Sequence, residues 1–140
     1  ETGVYTINHV HASIADKAHQ CSASYASNID EFEAVGLTSK MSALVNAPFV
    51  GESSIRIALS LEQITLIELN QTQLVIGRIV EVALDNDILL EDGFVDIEKA
   101  QSVAVSGLDS YHETSRIDRF AYAKPNQVPR SIWNKNGVKS

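Results

Sequence analysis

One cysteine, Cys21, in 140 residues excludes an internal disulfide, and with it a disulfide-stapled scaffold. Uninterrupted apolar runs are only a few residues long, as in Ala43-Leu44-Val45, which excludes a membrane-spanning helix. No cationic-then-apolar leader pattern stands at either end, so the expectation is a cytoplasmic protein with no membrane partner. Glycine-rich phosphate loops are missing: neither GxGxxG nor GxxxxGK[ST] occurs, and there is no GxSxG serine motif. Cations are scarce as well. Eleven Lys and Arg stand against 18 Asp and Glu, a net charge of −7, which argues against nucleic acid as the main partner.

What is present is an ordinary globular composition, 44% hydrophobic and 21% charged. A chain of this size hides roughly 68–70% of the surface its unfolded form exposes, enough for a real core in one domain. The charge is unevenly placed. Residues 1–115 hold 5 basic against 17 acidic residues, net −12, whereas residues 116–140 hold 6 basic residues against Asp118 alone, net +5. The basic tail then lies along the anionic body, lies along a second subunit, or frays into solvent.

The chain opens directly in alternation, with Val4, Thr6, Asn8 and Val10 on one face and Tyr5, Ile7, His9 and His11 on the other. A domain seldom begins inside a strand, so the expectation is that further chain precedes it. Residues 12 to about 24 carry Ile14, Ala15, Ala18 and Cys21 at helical spacing. A second short helix is expected from Asn28 as N-cap, Glu31 three residues on, and Gly36 as the stop. In the middle, Ile55, Ile57, Leu59 and Leu61 alternate with Arg56, Ala58, Ser60 and Glu62, a strand with one buried face. The phase flips at Glu62-Gln63, which predicts a bulge or bend near Gln63. Asn70 to Gln73 is a polar turn, and a second long strand begins at Leu74, with Gly77 and Arg78 interrupting it. Asp96–Gln101 reads as a helical turn or two, Val103–Val105 as a short strand and Phe120–Ala123 as a last one. The class is mainly β, or α+β around a small barrel.

Three constellations invite chemistry. His9, His11, His19 and Cys21 are zinc-ligand types, but their spacing fits no closed zinc motif, and His19 and Cys21 point about 160° apart on a helix. Cys21 with His19 or His112 as base would be a nucleophile, yet it falls late in its helix, where the dipole raises a thiol pKa. Asp85, Asp87, Glu91 and Asp92 start like a calcium loop, which Ile88-Leu89-Leu90 then breaks. Surface histidines, a helix cysteine and a solvated acidic turn are the readings adopted. No metal site and no catalytic side chain is expected.

Read together, several segments resemble the flavin reductase-like family, the FMN-binding split barrels. Glu1-Thr2-Gly3-Val4-Tyr5-Thr6-Ile7-Asn8 is similar to the family's "ETG-aromatic-x-x-N" strand. Cys21-Ser22-Ala23, with Asp30-Glu31-Phe32-Glu33-Ala34-Val35-Gly36-Leu37-Thr38, resembles its "SA…EFE-x-x-GLT" stretch. Ala47-Pro48 with Glu52-Ser53, Val75-Ile76-Gly77-Arg78-Ile79-Val80, Asp92-Gly93, Gly107-Leu108-Asp109-Ser110-Tyr111 and Arg119 to Pro125 follow in the family's order. The departure at Ile57-Ala58-Leu59, where many relatives carry a Glu-Cys pair, touches no nameable cofactor contact. The resemblance covers the family's later two-thirds, which places a split-barrel domain of Greek-key type, with short helices near its start, at 1–125 and a basic tail at 126–140.

The resemblance implies a homodimer that binds FMN near the subunit interface and takes hydride from NADH or NADPH. The isoalloxazine ring would carry the chemistry, and the protein would supply orientation and electrostatics. It places Ser22, Tyr25 and Phe32 near the flavin, and Tyr111 near the ring or the interface. Phe32 also reads as a core residue. A non-catalytic flavin-binding or dimerisation module, and a β-rich domain unrelated to flavin, are the competing readings.

Overall fold

The computed structural model describes residues 2–133. Strand β1 (Val4–Asn8) leads through a 3-10 turn (Ala12–Ile14) into helices α1 (Ala15–Gln20) and α2 (Glu31–Val35). Seven strands form in all among the described residues: after β1 come β2 (Ser39–Met41), β3 (Pro48–Val50), β4 (Ile55–Ile67), β5 (Thr72–Leu84), β6 (Val103–Ser106) and β7 (Ser110–Glu113). They make a three-stranded sheet, β1-β4-β5, and two antiparallel pairs, β2-β3 and β6-β7. The mainly β reading with short helices near the start matches this order.

The alternation in 55–84 folds as expected into two long antiparallel strands. Their register slips between Leu61 and Gln63, so Glu62 is the extra residue of a bulge, next to the position expected. A second slip, opposite Ala58 and Leu59, leaves Val80 unpaired on β5. The connecting turn is held by Asn70 Oδ1, which accepts from the Thr72 hydroxyl (2.7 Å) and backbone N–H (3.2 Å), with Gln71 at φ 57°. Gly77 and Arg78 do not interrupt β5, which is continuous from Thr72 to Leu84.

The expected one-sided burial of β4 divides along its length. Near its start both faces are covered, with Ile55, Arg56, Ala58 and Leu59 all buried, because β1 and β5 flank it and loops pack above and below. On one face Ile55 packs with Ile88 and Ala100 against Leu84 and Val95. On the other, β3 lies over β1: the Thr6 hydroxyl donates to Pro48 O (2.6 Å) and Val50 N–H donates to Asn8 Oδ1 (3.0 Å). Beyond Leu61 the two strands run on as an arm with exposed apolar residues on both faces, among them Ile64, Leu66, Ile67, Leu74, Val75 and Ile76.

Several boundaries differ from expectation. The helix expected over 12–24 is a 3-10 turn followed by six α-helical residues. Asp30, not Asn28, caps α2, because its Oδ1 accepts the Phe32 N–H at 2.8 Å while Ala26–Ile29 already closes a turn. Gly36 ends α2 in the left-handed conformation, φ 69°, as expected. Asp96–Gln101 is a set of turns rather than a helix, with Asp96 Oδ1 accepting from the Glu98 and Lys99 N–H groups. Phe120–Ala123 contributes only a single bridge, Phe120 to Ser131.

Candidate functional site

The C-terminal end of α1 leaves backbone carbonyls without helical partners. The next residues satisfy them: Cys21 N–H donates to Lys17 O (3.2 Å), Ser22 N–H to His19 O (3.0 Å) and Ala23 N–H to Gln20 O (3.1 Å). The Ser22 hydroxyl adds a bond to His19 O at 2.7 Å. Its proton is thereby spent, and its oxygen stays open to accept.

Two tyrosines converge on the same helix end. Gln20 Nε2 donates to the Tyr25 hydroxyl at 3.1 Å, leaving that hydroxyl's own proton free to donate. Tyr111, on β7, meets His19 across 92 residues of sequence, with Nδ1 and the phenol oxygen 3.2 Å apart. Their rings stand edge to face at 85°, centroids 5.8 Å apart. Ser22 is exposed, and Tyr25 and Tyr111 are half-buried. Phe32 is half-buried on α2 and joins the group only through the packing of α2 on α1, which Lys17 tightens by donating to Gly36 O at 2.7 Å. His19 and Gln20, which hold the two tyrosines, were not among the residues the sequence placed at this site; the Gln20–Tyr25 contact is local, but no local pattern signals His19–Tyr111.

Behind α1 lies a cavity of about 200 Å³ lined by Asn8, His9, Ile14, Cys21, Leu37 and Val50. Burial pushes the Cys21 thiol up, and Glu31 pushes it further, so the thiol stays protonated at neutral pH. The nearby loop is pinned through Glu52. Burial raises its carboxyl, but the Thr38 N–H at 3.0 Å from both oxygens, with the charge of Lys17, outweighs this and holds it below its ordinary value.

The four zinc-type residues turn to separate neighbours. His9 Nδ1 meets the Ser102 hydroxyl (3.1 Å), His11 Nε2 meets Glu52 O (2.7 Å), His19 meets Tyr111, and Cys21 faces the cavity. In the acidic loop, Asp85, Asp87 and Asp92 pair with Arg56, Lys99 and Arg119 at 3.2, 3.2 and 2.7 Å. Among the described residues no three His, Cys, Asp or Glu side chains gather closely enough to hold a metal ion. No helix among them is long and apolar enough to cross a membrane.

The family model for the flavin reductase like domain matches residues 1–99. The chain belongs to this family. A crystal structure from Shewanella frigidimarina, described as a flavin reductase with a split barrel domain, is 43% identical with a TM-score of 0.85, over 88% of this chain and 62% of that one. Flavoredoxin of Desulfovibrio vulgaris is 30% identical, TM-score 0.71, over 89% and 64%. Nitrilotriacetate monooxygenase component B from Bacillus cereus shares the fold at 23% identity, TM-score 0.70, over 82% and 58%. The chain therefore spans less than two thirds of each of these structures. Curated proteins gave no match. The fold is the flavin reductase split barrel, as the sequence motifs implied.

Proposed function

We propose that this chain is the flavin-binding domain of an oxidoreductase that passes electrons from NADH or NADPH to FMN, working as a cytoplasmic homodimer. The observation that carries this reading is the convergence of Ser22, Tyr25 and Tyr111 on one helix end, in a chain of the flavin reductase-like family. The split-barrel domain is assigned to 1–125 and the basic tail to 126–140. Residues 134–140 of that tail lie outside the described residues.

The donor set fits the edge of an isoalloxazine ring. Such an edge presents carbonyl acceptors beside a ring N–H donor. Tyr25 has a free O–H to give to a carbonyl, and the Ser22 oxygen has lone pairs to take the N–H. Tyr111, braced by His19, and Phe32 supply aromatic walls. Lys17 spends one N–H on Gly36 O and keeps others for a phosphate. When bound, the flavin supplies the hydride and electron chemistry. The residues of the chain bind and orient it.

The homodimer is supported by the β4-β5 arm. Its exposed apolar residues, among them Ile64, Leu66, Ile67, Leu74, Val75 and Ile76, follow one another along both strands and offer a surface for a second copy. The test of the electron-transfer claim is oxidation of NADH and of NADPH by the chain with added FMN. Turnover above the free-FMN rate, abolished by heat denaturation, is the expected result. FMN binding without oxidation of either nucleotide would make the chain a non-catalytic flavin module instead.

A further inference from the structure

Between Arg119 and Ile132 the chain turns back on itself. Ala121 N–H donates to Arg130 O (2.9 Å) and Ile132 N–H donates to Arg119 O (2.8 Å). The base of this loop is fastened to the body. Arg119 reaches Asp92 at 2.7 Å and lies 3.8 Å from the centre of the Phe94 ring. Arg116 pairs with Asp96 (2.6 Å) and Glu98 (3.5 Å) and packs on Phe94 and Trp133. These contacts occupy Asp92, Asp96 and Glu98.

The tip differs. Lys124 and Arg130 form no ion pair among the described residues, and no Asp or Glu follows Asp118 in the sequence. Tyr122 and Val128 are 92% and 90% exposed. The tip is thus cationic and apolar, exposed beyond a base whose Asp92, Asp96 and Glu98 are already paired. A complementary surface lies on α2, where two acids stand beside an exposed apolar residue. Glu31 and Glu33 are exposed and form no ion pair among the described residues, and Ile29 beside them is 46% exposed.

We propose that the 119–132 loop docks on α2 of a second copy of this chain, with Lys124 and Arg130 facing Glu31 and Glu33, and Tyr122 against Ile29. The proposal rests on the homodimer reading and deepens it by naming a contact. In a two-fold dimer the contact occurs twice, so every substitution acts twice. Exposed charge pairs are individually weak and screened by salt, and their main contribution is register and partner choice.

The experiment is sedimentation equilibrium on four versions of the chain: the parent, Lys124→Glu with Arg130→Glu, Glu31→Lys with Glu33→Lys, and all four changes together. The proposal expects each reversal to weaken the dimer roughly tenfold or more at about 50 mM salt, and less at about 500 mM. The combined variant restores affinity to within about threefold of the parent. A Tyr122→Ser variant weakens the dimer at both salt concentrations. A dimer indifferent to all these changes overturns the docking and leaves the dimer reading standing. A monomeric parent at every concentration overturns both.

Discussion

His19 Nδ1 and the Tyr111 hydroxyl stand 3.2 Å apart, edge to face, tying the end of α1 to strand β7. This one contact joins the early helix to the late hairpin at the candidate flavin site. Tyr111→Phe keeps the ring and removes the hydroxyl. Because the bond is exposed, the expected stability loss is under about 1 kcal/mol. FMN affinity should fall about three- to tenfold, measured by fluorescence titration beside a denaturant melt. A stability loss with unchanged affinity would make the pair structural only.

Tyr5 reaches across β4 to cover Gly77 on β5. A Cβ on Gly77 would meet the Tyr5 ring at 2.9 Å from Cζ and 3.0 Å from Cε1. Gly77→Ala therefore has to shift the outer end of the half-buried Tyr5 ring, at a cost of about 1 kcal/mol. The double variant Tyr5→Ala with Gly77→Ala should lose clearly less than the sum of the two single losses, because the ring that clashes is gone. Urea unfolding of the four versions measures this.

The long strands were legible because alternation persists over many residues, and the bulge at Glu62 was legible because Glu62 and Gln63 stand side by side as polar residues. The bulge at Val80 was hidden, since Ile79 and Val80 are both apolar and the phase change leaves no trace. Asn28 and Asp30 are both good caps; what decides between them is the turn over Ala26–Ile29, which the sequence does not display. Of the site, Ser22 and Tyr25 were approached through a local family motif. The brace of Tyr111 was not, because its partner His19 lies 92 residues away and is set by how the β6-β7 hairpin packs.

Asp96 carries a pH dependence. Burial raises its carboxyl, but the Lys99 N–H and Arg116, followed by the Glu98 N–H, outweigh this and hold it below its ordinary value. With the folded value depressed, the unfolded chain binds more protons, so this stabilisation is full above the unfolded value and is lost as pH falls through the folded one. Thermal stability should drop from about pH 5 downward, and Asp96→Asn should flatten part of that slope while lowering stability at neutral pH. A slope unchanged by Asp96→Asn would contradict the assignment.

Ile88 is almost completely buried, at 2% exposure, and packs with Ile55 and Ala100 beneath the sheet. Ile88→Ala should cost about 2–4 kcal/mol through lost burial and the cavity left behind. Leu69→Ala, at the 97% exposed tip of the arm, should cost almost nothing in the monomer. Denaturant midpoints at low protein concentration compare the two.

The central claim is that this chain holds flavin at the end of α1. Titrating the chain into a fixed concentration of FMN and following flavin fluorescence tests it most directly. The account predicts saturable quenching, weakened by Tyr25→Phe and by Ser22→Ala, with each variant still folded. No quenching at chain concentrations up to about 1 mM, or quenching indifferent to Ser22, Tyr25 and Tyr111, would contradict it.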